Sequence, residues 1–329
     1  MIGFFVGLGI TAGATAMGCA YLGISHRVMH LILGRKTPKH MEQGARWVSG
    51  SNMFTEYAEE IAAASTGLEQ RSGFEEVSLI SRDGIRLAGH WRPHPQAKRI
   101  LIAMHGWRST WSRDFGFIAD FWFEHQCSVL FAEQRAQSNS GGEYMGFGML
   151  ERHDCVDWVN WVKQKTGGSL PIYLNGISMG ATTVLMATGL NLPKNVHGII
   201  ADCGFTSPHA IWKYVTEKNL HLPYLLQGVF ANEWCRRNLQ VGSKECSAPE
   251  ALKRSSVPVL FIHGTDDRFV PVEMTYENYK ACAAPKRLFI VPGAQHGMSY
   301  HVDQTGYHNA VLSFFNEFDH DAEKDAFSP

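Results

Sequence analysis

Three residues of this 329-residue chain, Ser178, Asp267 and His296, have the types and the order needed to cleave an acyl bond by covalent catalysis. Ser178 is the centre of Gly176-Ile177-Ser178-Met179-Gly180, with the apolar run Pro171-Ile172-Tyr173-Leu174-Asn175 before it and the helical pattern Ala181-Thr182-Thr183-Val184-Leu185-Met186 after it. That context predicts a nucleophile elbow, a strained strand-to-helix turn on which glycines two residues to either side leave room for the serine and lift its hydroxyl off the sheet. The motif carries little weight alone. An elbow serine needs a base to take its proton and an acid to orient that base, in the chain order Ser, Asp or Glu, His. Asp267 is the candidate acid, in the polar turn Thr265-Asp266-Asp267-Arg268 that ends the apolar run Val257 to Ile262. His296 is the candidate base, in Ala294-Gln295-His296-Gly297-Met298 after the last apolar run. Among the 16 histidines, His209, His221, His301 and His308 read as surface or satisfied core residues. A tetrahedral intermediate also needs two backbone N–H donors. Met179, directly after the serine, supplies one, and Trp107 in His105-Gly106-Trp107-Arg108 supplies the other. The chemistry expected of this set is acyl transfer to water through an acyl-enzyme, with no metal or organic cofactor.

These residues have to be delivered by an α/β sheet, because each follows an apolar run at the strand edge where loops carry function. Strands are predicted near Glu75-Ser81, Arg86-Arg92, Arg99-Met104, Ser128-Glu133, Pro171-Ile177, Val196-Ala201, Val257-Ile262 and Arg287-Val291, with helices between most of the later ones. An amphipathic helical stretch is expected near Met53 to Ala64. No internal repeat or low-complexity tract interrupts the pattern.

Over roughly Phe74 to Phe318 the chain resembles the α/β-hydrolase fold family. Within that family it is similar to a bacterial subgroup of serine aminopeptidase-like or esterase-like hydrolases that are often membrane-anchored. The resemblance rests on His105-Gly106, Glu133-Gln134-Arg135-Ala136, Gly146-Phe147-Gly148, Gly176 to Gly180, Asp267 to Pro271 and His296-Gly297-Met298-Ser299-Tyr300. It implies a mostly parallel eight-stranded sheet flanked by helices, with a helical cap insertion at about residues 204–254. The family pattern has Asp where this chain has Glu133 and His-Gly where it has Gln137-Ser138. Arg135, Glu151, Arg152 and Asp154 are read as a structural polar network beneath the site. The insertion carries Trp212, Tyr214, Leu220, Leu222, Tyr224, Leu225, Leu226, Phe230 and Trp234. Most of these are expected to pack cap against body, and its family position implies an apolar substrate pocket.

The formal net charge of −1 and the lack of basic runs argue against nucleic acid as a partner. Seven cysteines, scattered and without a Cys-x-x-Cys pair, fit reduced thiols and no zinc site. Residues 2–24 carry no charged side chain and are long enough to cross a hydrocarbon core as a helix of about 20 residues, which predicts a single-pass cell-membrane anchor. Arg27, Arg35, Lys36 and Lys39 follow it and place the hydrolase portion on the cytoplasmic side. A cleaved signal peptide is the competing reading, but the basic start is missing. The domain division is then an anchor at 1–25, a helical linker at 26–71, a hydrolase domain at 72–320 and a tail at 321–329. A carboxylic ester is the expected substrate. A peptide or amide is the alternative on the same triad, and a lysophospholipid is a further one suggested by a membrane tether beside an apolar cap. A non-catalytic binding protein on the same fold is the reading from another class. Aspartate-dependent dehalogenases and epoxide hydrolases are excluded by a serine at the nucleophile position, and large oligopeptidase architectures by length. The sequence does not specify an oligomeric state.

Overall fold

The computed structural model describes residues 20–36 and 57–319. Eight strands form one sheet: β1 (Glu75–Ile80), β2 (Arg86–Arg92), β3 (Arg99–Met104), β4 (Cys127–Ala132), β5 (Ile172–Ile177), β6 (Val196–Asp202), β7 (Val259–Gly264) and β8 (Lys286–Val291). Their spatial order is β1-β2-β4-β3-β5-β6-β7-β8. Strands β1 and β2 pair antiparallel, β2 pairs antiparallel with β4, and every other pairing is parallel. This is the α/β-hydrolase fold. Every predicted strand is present, with ends displaced by no more than two residues.

Burial follows from the layering. Strands β3, β4 and β7 are buried along their whole length, because helices cover both faces of a parallel sheet. The edge strands β1 and β8 are half-exposed. One apolar core lies against the helices Glu151–Thr166, Met179–Ala187 and Leu225–Leu239 and includes Trp158, Val184, Trp234 and Cys235. A second, on the other face, gathers Phe115, Trp122, Phe131, Tyr173, Phe314 and Phe315 around the helices Ala119–Glu124 and Gln304–Phe318.

Between β6 and β7 the chain folds into the helix Pro208–Tyr214, a π turn at Val215–Asn219, and the helices Leu225–Leu239 and Ala248–Leu252. Trp212, Tyr224 and Trp234 of this insertion are buried, as expected of residues that pack cap against body, whereas Leu222, Leu225 and Leu226 are exposed. The amphipathic helix expected at Met53 to Ala64 lies at Ala58–Gln70 and buries Ile61 and Leu68. Its end is later than the sequence pattern suggested because Gly67, on an open face, does not stop it.

The membrane anchor expected over residues 2–24 falls mostly outside the described residues. Among the described residues no helix is long and apolar enough to cross a membrane. Residues 20–33 are helical. Ser25, Met29 and Leu33, four apart and thus on one face, are buried against the hydrolase, and Gly34 forms an antiparallel bridge with Tyr144.

Among the described glycines, the closest approach of a neighbouring atom is at the elbow. A Cβ on Gly180 would collide with the Met104 carbonyl oxygen of β3, and one on Gly176 with the backbone of Gly180 and Ala181. Neither neighbour can rotate away, since both are main chain. Gly180→Ala is therefore expected to destabilise the protein by about 4 kcal/mol or more. Urea denaturation followed by circular dichroism checks this, and a change below about 1 kcal/mol would contradict it.

Candidate active site

Ser178 stands between the end of β5 and the helix Met179–Ala187, at φ 56° and ψ −116°. This left-handed conformation is costly for a residue with a Cβ. The strain is held by main-chain bonds on both sides: Ser178 N–H donates to the Asp202 carbonyl at 2.9 Å, and its own carbonyl accepts from Thr182 N–H at 3.0 Å.

The loops after β7 and β8 bring the other two residues to it. His296 Nε2 lies 2.8 Å from Ser178 Oγ, and His296 Nδ1 lies 2.6 Å from Asp267 Oδ2. Asp267 is almost completely buried and accepts four hydrogen bonds. Phe269 N–H and Val270 N–H reach its Oδ1 at 2.9 and 2.8 Å, while His263 Nε2 and His296 Nδ1 share its Oδ2. Burial works against ionisation here, but the two histidines and the hydrogen bonds outweigh it and hold the carboxyl well below the usual carboxylate range. With Asp267 ionised, His296 Nδ1 carries the proton and Nε2 turns its lone pair toward the serine. Burial alone would lower the His296 pKa, yet the adjacent carboxylate raises it above the ordinary imidazole value.

The sequence did not single out His263, the second imidazole on Asp267. Its Nε2 also lies 2.9 Å from the Val270 carbonyl, which can only accept, so Nε2 carries its proton and Nδ1 accepts from Thr275 Oγ1 at 2.6 Å. The i,i+4 spacing of His263 and Asp267 across the strand end was the available signal. Asp202 is a second buried carboxyl close by; burial pushes it up to about 6, and Ser299 Oγ donates to it at 3.0 Å.

The loop after β3 lies directly against the nucleophile, with Gly106 so close that an added Cβ would touch Ser178 Cβ at 3.5 Å. Its amides are held at fixed positions: Gly106 N–H donates to Asp114 Oδ2 at 2.6 Å and Arg108 N–H to Gln137 Oε1 at 2.6 Å. Trp107 N–H, between them, and Met179 N–H, in the first turn of its helix, are the two amides the sequence predicted. Buried His105 is kept neutral by its burial. Its Nδ1–H donates to the Gly106 carbonyl at 2.9 Å and its Nε2 accepts Gln134 N–H at 3.1 Å. The Trp107 side chain donates from Nε1 to the Ile32 carbonyl at 2.9 Å, and Arg108 Nη2 donates to the Leu31 and Gly34 carbonyls. The helix at 20–33 is thus tied to this loop through its C-terminal carbonyls.

Cys203, Asp267 and His296 place one potential ligand atom each within 4.8 Å of one another. They make a poor metal set: burial and Asp202 push the Cys203 thiol well up, and the other two are bonded to each other.

Residues 129–320, more than half of the chain, match the Peptidase S9 profile, the prolyl oligopeptidase family. The chain belongs to the prolyl oligopeptidase family. It is 28% identical over 234 residues to the uncharacterized protein YqkD of Bacillus subtilis (strain 168), a match covering 71% of this chain and 76% of that protein. To the uncharacterized protein YfhR of Escherichia coli (strain K12) it is 25% identical over 232 residues, 68% of this chain and 73% of the other. Among solved structures it is similar to the Pyrococcus furiosus esterase Pf2001, with a TM-score of 0.62 and 21% identity over 74% of this chain and 91% of that one, a likeness of fold. Family and fold together make this protein an α/β-fold serine hydrolase.

Two departures from the α/β-hydrolase pattern fall in the loop after β4 of this prolyl oligopeptidase family member, and both side chains are used. Glu133 lies 2.8 Å from His90 Nε2 and accepts Asn139 N–H at 2.5 Å, while Gln137 makes the bond to Arg108 N–H that steadies the loop after β3. Arg135 forms the expected structural pairing. It binds Asp154 bidentately in the interior and reaches Asp83, in the β1–β2 turn, at 2.9 Å. Glu151 instead accepts Gly146 N–H and Gly148 N–H at 2.5 and 2.9 Å. Arg135→Ala leaves Asp154 buried without its partner and is expected to cost about 3–5 kcal/mol, measurable as a lowered urea midpoint; an unchanged midpoint would contradict the pairing.

Proposed function

We propose that the protein is a carboxylic-ester hydrolase that works through a Ser178–His296–Asp267 triad and an acyl-enzyme. The observation that carries this reading is the unbroken relay of 2.8 and 2.6 Å from the strained Ser178 through His296 to an ionised, buried Asp267. His296 Nε2 takes the Ser178 proton as Oγ attacks the ester carbonyl. The amides of Met179 and Trp107 hold the oxyanion, and the imidazolium returns the proton to the leaving alcohol. Water then repeats the sequence against the acyl-enzyme. Aromatic side chains adjoin the loop that carries the Trp107 amide: Phe147 packs against Trp107, Phe205 and Trp212 with ring centroids 5.8, 5.9 and 5.4 Å apart. They favour an apolar acyl group. The esterase named among the similar folds, and the bifunctional esterase/perhydrolase of Acinetobacter calcoaceticus that is 33% identical over 75 residues, 20% of this chain and 27% of that one, lean the same way.

The family's description keeps a peptide substrate as the second reading, since the same triad cleaves amides when the departing amine is protonated efficiently. A chain-length series of p-nitrophenyl esters assayed beside aminoacyl p-nitroanilides separates the two. Turnover of esters that depends on Ser178 and prefers apolar chains is expected. Turnover of anilides alone would assign a peptidase, and a folded protein inert to both substrates and to a fluorophosphonate would point to a binding role.

A further inference from the structure

Twelve large apolar side chains are exposed among the described residues, and seven of them, Tyr21, Leu22, Ile24, Leu222, Leu225, Leu226 and Val229, lie on two short segments. Those segments are held side by side. Ser25 Oγ donates to Gln227 Oε1 at 2.8 Å, and Trp234 Nε1 donates to His26 Nδ1 at 3.1 Å. One segment is the start of the helix at 20–33 and the other opens the helix Leu225–Leu239. Leu225, Leu226 and Val229 share an outward face, and Leu225 is 79% exposed. Further along that helix the exposed positions turn charged, at Glu233, Arg236 and Arg237, and Arg27 follows Ile24 on the other. The result is an apolar patch with an ionic rim, its exposed side chains grouped rather than scattered singly.

We propose that this patch seats the protein on a lipid bilayer, with Leu222, Leu225, Leu226 and Val229 entering the acyl-chain boundary beside the helix at 20–33. A bilayer is favoured over a second protein surface for two reasons. The 19 residues before Ala20 carry no charged side chain, so the most apolar part of the sequence leads directly into the patch. At the start of the helix residues 20–24 are exposed and a Cβ on Gly23 would meet nothing within 4 Å, so this turn is open to a broad apolar surface. An interfacial face of this kind needs one apolar side and a charged border. The insertion between β6 and β7 would then border the lipid, and the substrate class would be an ester with a membrane-dwelling acyl chain. That last step rests on the ester reading; the docking surface itself does not.

The test uses the full-length protein with Cys19→Ser, since the six other cysteines are buried. A nitrobenzoxadiazole label is placed through Leu226→Cys, through Val229→Cys as a second position, and through Ile80→Cys on the distant edge strand as a control. Each protein is reconstituted in phosphatidylcholine and phosphatidylglycerol vesicles with and without doxyl-labelled acyl chains. Blue-shifted emission and loss of fluorescence to the doxyl lipid are expected at 226 and 229 and not at 80. Protein that floats with vesicles but is unquenched at both cap positions would overturn the proposal, as would equal quenching at 80. Cross-linking between chains of the unlabelled Leu226→Cys protein, with no quenching of the labelled one, would assign the face to a second copy and also overturn it. Fluorophosphonate labelling of the same samples reports on Ser178 separately, so lipid contact by a protein with an unreactive serine would count against the esterase and leave the surface standing.

Discussion

Ser178→Ala is expected to lower kcat for p-nitrophenyl esters by a factor on the order of 10⁶, with urea stability changed by less than about 1 kcal/mol. The expected loss is large because, in the proposed mechanism, the serine, the imidazole and the carboxylate act as one unit. Once the nucleophile is gone, the relay behind it has nothing to deprotonate. Stability changes little because the lost hydroxyl makes a single hydrogen bond, to His296, while the alanine keeps the Cβ and the main-chain bonds that hold the elbow. Turnover within about tenfold of the parent, from a protein with an unchanged circular dichroism spectrum, would remove Ser178 from the mechanism.

Asp267→Asn is expected to lower kcat by a factor on the order of 10⁴, through the tautomer of His296 rather than its position. Phe269 N–H and Val270 N–H both point at Oδ1, so the amide oxygen of an asparagine must occupy that place. Its NH2 then faces the two imidazoles. His263 Nε2 stays protonated because the Val270 carbonyl requires a donor, leaving His296 to accept at Nδ1 and carry its proton on Nε2, toward the serine it should deprotonate. The pH profile moves as well. In the parent, Asp267 raises the His296 pKa, so the proposed base is neutral only above that raised value and kcat/KM is expected to fall as pH drops through it. Loss of the carboxylate lowers the His296 pKa, so the acid limb of the residual activity shifts to lower pH. An acid limb that stays in place would mean that another group controls it, with buried Asp202 the neighbour to examine next.

The sheet and the three side chains at its edge were legible because both depend on short-range pattern. Continuous apolar runs mark strands buried on both faces, and glycines around Ser178, a polar turn holding Asp267 and the loop holding His296 each follow such a run. What escaped the sequence depends on closure between distant segments. Asp83 meets Arg135 across 52 residues and Gln137 reaches Arg108 across 29, and no local spacing announces either pair. His263 was hidden differently: a histidine inside a run of apolar residues looks like a satisfied strand residue until the turn folds Asp267 back beneath it. Asp114, eight residues after Gly106, was missed because a single short turn of chain brings its carboxylate under the Gly106 amide.

Residues 31 to 34 look peripheral by position in the chain, yet their carbonyls receive the indole of Trp107 and the guanidinium of Arg108, and Met29 and Leu33 fill the apolar core beneath. The catalytic unit therefore begins about forty residues before the first strand of the sheet, counted along the extended chain rather than through the folded one. Shortening the protein to the hydrolase fold alone would keep every strand and every residue of the proposed triad while freeing the loop that carries the proposed oxyanion donor, Trp107 N–H. Such a protein would bind its substrate in the right place and stabilise its transition state poorly, a defect in kcat with the ground-state complex intact.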